Sequence, residues 1–485
     1  MTKKTLLFAA ILACASTLGW SQKKEYGYKV TVEFDEPIKD QTIYLAHYFG
    51  KGLPTIYKLD SAKVINGRKA EFQRKDSILG GLHLVMYEQN SRFFHLLLDN
   101  GYKVSAKVDT SGKAHFTQNQ INKDFELVEE KMLVIQKDKA KLREDYKNAS
   151  SKEDSTRIDA AFKELVAKEK AIRREYAAKN KGNLMAKIFD AMDAPDLPTD
   201  TRYLEDGVTV DSLYPLMYYK QHFWDKFDFT DNRLVKTSLL DGRLGEYFNN
   251  LVYPIPDSIN YEMDKLLAKA EPAKEIYKYI LHWLGNWTHE NKMMGVDASF
   301  VYLVENYYGK GKAFWLDSAA VAKYLDRAGK IAPNVVGNPA PRLVLQNLAT
   351  LQDVDVTQAT KSRYTIIAFW SADCGHCMEE MPKVVDLYNK ILKKMDVQVI
   401  SVPLMVKGGD DIRKIYEEWG VNDWITLVDY HNKKEYRELY DAYATPVIYV
   451  LDRDKIIVGK KLGSSSILPV IEHDIEVKNK KAAKP

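Results

Sequence analysis

At 485 residues the chain is long enough for about three domains. Its 45% hydrophobic and 28% charged residues suit ordinary packed cores, and a formal charge of +4 gives no basic field of the kind that binds nucleic acid. Three cysteines exclude a fold stapled by a disulfide framework.

The first segment reads as an export signal over residues 1–21. Met1-Thr2-Lys3-Lys4 is a basic start, Thr5–Ala13 an apolar run, and Gly19-Trp20-Ser21 a small-residue cleavage site before Gln22. The run is too short to span a bilayer, and no later stretch approaches that length. A periplasmic protein is expected. Cys14 opens the alternative of a membrane-anchored lipoprotein, although Ile11-Leu12-Ala13 fits a lipobox poorly.

Residues 22–120 are expected to form an antiparallel β-sandwich. Short alternating runs such as "YKVTVEF", "RKAEFQR" and "YKVSAKVD" are separated by Gly, Asn and Asp turns. On the pattern "IYLAHYFGKG…KLDSAKVINGRKAEF" the segment resembles the N-terminal β domain that precedes many exported thioredoxin-like modules, which implies a binding or docking role. Its histidines, His47, His83, His95 and His115, lack tight ligand spacing and read as strand-face residues.

From 121 to 335 the period becomes helical. Phe125, Val128, Met132, Ile135, Leu142 and Tyr146 form an apolar stripe broken by Lys139, and Ile158, Phe162, Leu165, Ile172 and Tyr176 form a second. The pair predicts an antiparallel helical hairpin, with a homodimer through it as an alternative to simple mutual packing. The aromatic runs "YPLMYYKQHFWDKFDF" and "YILHWLGNW" read as core. His282 and His289 are seven apart, but Gly285 interrupts the run and no other ligands accompany them, so no metal is expected. The Gly- and Pro-punctuated stretch 329–341 reads as a linker.

Residues 336–485 carry the chemistry. Tyr364–Trp370 is a strand-like apolar run, and helical spacing holds from Glu379 to Leu392, so Cys374-Gly375-His376-Cys377 falls at a strand-to-helix junction. Two thiols one helical turn apart can open and close a disulfide with little backbone movement. A helix N-terminus stabilises an anion, which makes Cys374 the expected attacking thiolate and Cys377 the shielded, resolving thiol. A structural zinc site is disfavoured because it needs four ligands and no second pair exists, and a purely structural disulfide usually closes a longer loop. Downstream, strands and helices alternate through 397–477, implying a sheet with helices on both faces.

On "FWSADCGHC" and "YATPVIYVLD", residues 336–477 resemble the thioredoxin superfamily, in particular the exported TlpA/ResA-type thiol–disulfide oxidoreductases. The resemblance implies a thioredoxin-like α/β domain and, with the preceding segments, a multidomain α+β chain. It implies a cis bond before Pro446, with Trp370, His376, Thr445 and Pro446 facing a substrate chain. It also implies a redox-active Cys374–Cys377 disulfide with no further cofactor.

Three positions bear on mechanism. Ala368 stands where thioredoxins place a buried aspartate, and Glu380, three residues after Cys377, takes the place of the relay glutamate of TlpA/ResA-type proteins, where a buried carboxyl would titrate high. His376 would stabilise the Cys374 thiolate and make the disulfide more oxidising, while Asp373 would oppose it. A peroxiredoxin pattern needs a proline at position 367 and a threonine or serine at 371; Ser371 fits and Ile367 does not.

The leading reading is a periplasmic oxidoreductase that exchanges its dithiol with protein substrates as a reductase, fed by a membrane electron donor. An oxidase or isomerase, and a binding protein in which the thioredoxin-like domain is accessory, are the alternatives.

Overall fold

The computed structural model describes residues 25–404 and 409–482. The expected signal peptide and Cys14 lie outside the described residues. The chain divides into two compact units, Met1–Asp193 with Arg233–Ser238, and Ala194–Asn232 with Leu239–Pro485.

The first unit begins with eight strands: β1 (Tyr28–Phe34), β2 (Thr42–His47), β3 (Tyr57–Lys63), β4 (Lys69–Arg74), β5 (Gly81–Tyr87), β6 (Arg92–Leu98), β7 (Tyr102–Val108) and β8 (Ala114–Gln118). They form two four-stranded sheets, ordered β4-β1-β7-β8 and β3-β2-β5-β6. Strict alternation in β1 sends Tyr28, Val30, Val32 and Phe34 inward, where they meet Leu45, Val85, Leu96 and Val104. The pairing departs from an all-antiparallel sandwich at one place, where β1 and β7 run parallel. β7 reaches β1 only after the chain has laid down all four strands of the other sheet, so a crossover replaces a tight turn. The histidines sit on strands as expected, with His47 and His83 opposite each other. Burial pushes His47 down to about 4 and His83 to about 3, with Lys236 adding to both.

Helices α1 (Gln120–Lys147) and α2 (Lys152–Lys179) form the hairpin, each opened by a side-chain cap, Asn119 on the N–H of Asn122 and Ser151 on that of Asp154. Val128 and Ile135 of the first and Ile158 of the second are buried. Lys139, the break in the stripe, is buried too and pairs with Glu169, which also takes Arg173. A short helix, α3 (Leu184–Met192), is capped by Asn183 and closes the unit.

The second unit carries α4 (Tyr214–His222), α5 (Leu239–Glu246), α6 (Pro256–Ala270), α7 (Lys274–Glu290), α8 (Val296–Leu303) and α9 (Ser318–Ile331). Phe223, Trp224, Phe227, Tyr247 and Phe248 are buried in mutual ring contact, as the aromatic run predicts. Gly285 does not interrupt α7. It admits the ring of Tyr308, whose hydroxyl donates to the carbonyl of Leu281 and would stand 2.8 Å from a β-carbon at 285. Helix propensity favours Gly285→Ala by about 1 kcal/mol, but overpacking a buried ring costs about 1–3 kcal/mol. A lowered melting temperature is therefore expected, and an unchanged or raised one in a thermal melt would show that the ring moves freely.

The C-terminal part is a seven-stranded sheet ordered β10-β9-β13-β12-β11-β14-β15. Its strands are β9 (Val344–Asn347), β10 (Asp353–Asp355), β11 (Tyr364–Trp370), β12 (Val397–Pro403), β13 (Ile425–Val428), β14 (Val447–Leu451) and β15 (Ile457–Lys460), and its helices α10 (Gly375–Lys390), α11 (Gly409–Trp419), α12 (Glu435–Tyr440) and α13 (Ser464–Ala482). β11, β12 and β13 are parallel, and β14 returns antiparallel on β11. Ile366, Ala368 and Trp370 of β11 face α10, α11 and α13, while Ile367 and Phe369 face Tyr436 and Tyr440 of α12. Covered on both faces, β11 is buried at all seven positions. At one edge of the sheet, residues 337–340 hydrogen-bond to the chain entering β15, through Gly337 and Asn338 to Ile457 and through Ala340 to Lys455. At the other, β10 is three residues long.

Candidate active site

Strand β11 ends at Trp370, and the next four residues turn the chain into α10. Cys374 is the N-cap of that helix, with φ −99° and ψ 111°, and its sulfur accepts the backbone N–H of Cys377 at 3.3 Å. The dithiol motif is thus the cap and first turn of α10, where unpaired N–H groups and the positive end of the dipole meet the sulfur. Both thiols are free; Cys374 is half-buried and Cys377 is 0% exposed.

The second wall comes from the segment before β14. The Thr445–Pro446 peptide bond is cis, and the Thr445 carbonyl lies 3.2 Å from the sulfur of Cys374. Thr445 and Pro446 are themselves half-buried.

Burial acts to raise the Cys374 thiol, but hydrogen bonds from the Cys377 and Thr445 side chains and from the N–H groups of Cys377 and His376 outweigh it and hold the group below the ordinary cysteine value. Cys377 is pushed up, first by burial and then by its bond to Cys374. The two directions separate an accessible thiolate from a shielded thiol, the division of labour that disulfide exchange requires.

Other residues singled out from the sequence fall differently. His376 and Asp373 are exposed on either side of Cys374 in the chain. Trp370, expected against substrate, is 0% exposed and instead donates its indole N–H to Ser401 at 2.7 Å, packed beside Trp419. It is a core residue, because the sheet is covered on that face too. Glu380 is partly buried but does not titrate high. Bonds from Ser464 at the start of α13, and secondarily Lys383, hold its carboxyl below the usual glutamate range despite burial. Ile367, the position where a peroxiredoxin would need proline, is buried in β11. Among the described residues no cluster of three or more His, Cys, Asp and Glu could hold a metal.

Sequence reasoning missed the surroundings of the segment before Pro446. Asp441, the C-cap of α12 with φ 47°, is buried and receives both Arg327 and Lys461. Arg327 and Asp441 are 114 residues apart, and no local pattern joins them.

Residues 335–475 match the Redoxin family, and residues 209–331 match a domain of unknown function, DUF5106. No curated protein matches the chain significantly. Among solved structures, a thioredoxin-like protein from Bacteroides caccae is 18% identical, with 58% of this chain and 98% of that one covered and a TM-score of 0.47. A domain of a possible thiol-disulfide isomerase from Cytophaga hutchinsonii is 30% identical over 32% of this chain and 98% of its own, with a TM-score of 0.27. The thioredoxin domain of a thiol-disulfide oxidoreductase from Bacteroides vulgatus is 24% identical over 29% of this chain and 96% of its own, with a TM-score of 0.26. With a capped dithiol, a cis-proline segment against it and a Redoxin match over the same residues, this is a thioredoxin-superfamily chain whose C-terminal domain is a thioredoxin-like thiol–disulfide oxidoreductase.

Proposed function

We propose that the protein is a periplasmic reductase of disulfides in other proteins. The observation that carries this reading is the position of Cys374, half-exposed at the helix cap, with its sulfur 3.2 Å from the Thr445 carbonyl and its partner thiol fully buried. The Cys374 thiolate attacks one sulfur of a substrate disulfide; the S–S bond breaks, and the departing sulfur takes a proton. Cys377 then loses its proton and attacks the mixed disulfide, releasing the second substrate thiol. Two electrons pass to the substrate, and the chain is left with a Cys374–Cys377 disulfide that a membrane-borne dithiol donor reduces again. The extended substrate is held by backbone pairing at Thr445.

Export rests on the basic and apolar start of the sequence. No described helix is long and apolar enough to cross a membrane. Glu380, ionised and tethered to Ser464, is a weak base, which favours a part in seating α13 on α10 over a proton relay.

Direction is read from the equilibrium reduction potential of the Cys374–Cys377 pair, poised against glutathione or dithiothreitol. A value near or below about −270 mV is expected for a reductase. A value of roughly −120 to −180 mV would mean that His376, exposed beside the nucleophile, governs the site, and the reading as a reductase would give way to an oxidase or isomerase.

A further inference from the structure

The segment that carries Thr445 to Cys374 begins at Asp441, and Asp441 is held by the helical region rather than by the sheet alone. The Arg327 guanidinium, on α9, grips both carboxylate oxygens at 2.5 and 3.0 Å, and Lys461 adds a bond at 2.7 Å. Arg327 is itself oriented, its Nε donating to His289 on α7 at 3.0 Å. The Asp441 side chain is 3% exposed, so its charge is satisfied almost wholly by these partners.

Two further ties join the same elements. Asn334 donates to the carbonyl of Leu439, two residues before Asp441. Lys460, 3% exposed, pairs with Asp297 on α8 and with Asn334. At the residue before Asp441, the Tyr449 hydroxyl donates to the carbonyl of Tyr440 at 2.6 Å. The start of the segment is therefore fixed directly by Arg327 on α9 and by Asn334 just after it, with His289 on α7 behind Arg327, and only three residues separate Asp441 from Thr445.

We infer that Arg327 is a positioning residue for the redox site: through Asp441 it holds the segment 441–446 so that Thr445 stays against Cys374, making the helical region a working part of the dithiol's chemistry. The inference rests on the proposed exchange at Cys374, but its geometry and its test do not require that a substrate be reduced. A bidentate guanidinium on a buried carboxylate fixes both distance and orientation, which a lone ammonium does not. Breaking such a pair leaves an uncompensated buried charge, and the backbone around it relaxes toward water. Thr445 meets the sulfur twice, its carbonyl 3.2 Å away accepting from the thiol and its side chain favouring the thiolate along with Cys377 and His376, so relaxation at Asp441 is read out at the sulfur.

The test is the pH dependence of Cys374 alkylation by iodoacetamide in the full chain carrying Cys377→Ser, followed by mass spectrometry of the Cys374 peptide. Arg327→Met is expected to move the midpoint upward by about one pH unit. Arg327→Lys, which keeps a cation, is expected to recover part of that shift. Lys323→Ala, which removes an exposed cation from the same helix, is expected to leave the midpoint in place. A midpoint unchanged by Arg327→Met in protein with unchanged circular dichroism overturns the inference, as does an equal shift in Lys323→Ala, which would reduce the effect to long-range charge. If Arg327→Met does not fold, Asp441→Asn is measured in its place, with the same shift expected and an unchanged midpoint equally fatal. A protein that fails to reduce any disulfide but shows these shifts would sink the proposed function and leave the inference standing.

Discussion

Replacing Cys374 with serine is expected to reduce dithiothreitol-driven reduction of insulin by on the order of 10³-fold or more, to the rate of the reductant alone. A serine hydroxyl cannot form the mixed disulfide, and the one other described thiol, Cys377, is 0% exposed and raised above its ordinary value, so it cannot take over the attack. The fold should be untouched, because the substitution keeps a side chain that can cap α10 and accept the N–H of Cys377. Activity within a few-fold of the parent would remove Cys374 from the reaction and with it the central assignment of the site.

Replacing Cys377 instead is expected to stop the cycle one step later. Attack by Cys374 proceeds, but nothing resolves the product, and the chain should accumulate as a one-to-one covalent adduct with its substrate, visible on a non-reducing gel and dissolved by dithiothreitol. Turnover should fall about as far as in Cys374→Ser, since each step is needed once per cycle. The two variants differ in the adduct, not in the rate. If Cys377→Ser forms no adduct while iodoacetamide still labels Cys374, exchange does not run through these two thiols in this order.

Much of this was legible in the sequence because its signals are local. Alternation fixes β1 to the residue, the unbroken apolar run fixes β11, and the periodic positions after Glu379 belong to a helix that begins at Gly375, as a junction at Cys374 requires. What was hidden depends on contacts between distant parts of the chain. β8, β9 and β10 are five, four and three residues long, too short for a period to register. Trp370 looked available because its neighbours in sequence are the motif, yet the layer over it comes from α11, where Trp419 lies against its ring. Glu380 looked like a buried acid, but the Ser464 N–H that lowers it lies 84 residues away. Gly285 looked like a break because the ring that fills its space belongs to Tyr308 on another element.

The treatment of the sheet's two margins has a meaning of its own. A protein that handles other polypeptides while they are extended runs the hazard that they will add to it as an extra strand, since an open margin offers a row of unpaired backbone groups. Here residues 337–340 of the same chain pair with residues 455–457 at the start of β15, and the opposite margin, β10, is cut to Asp353-Val354-Asp355, with a carboxylate at each end. Under the proposed exchange with protein disulfides, both flanks would offer a client little to pair with. The short stretch before β14, over the reactive sulfur, would then be the open place to dock, so that features which guard against aggregation would also aim a client at the chemistry.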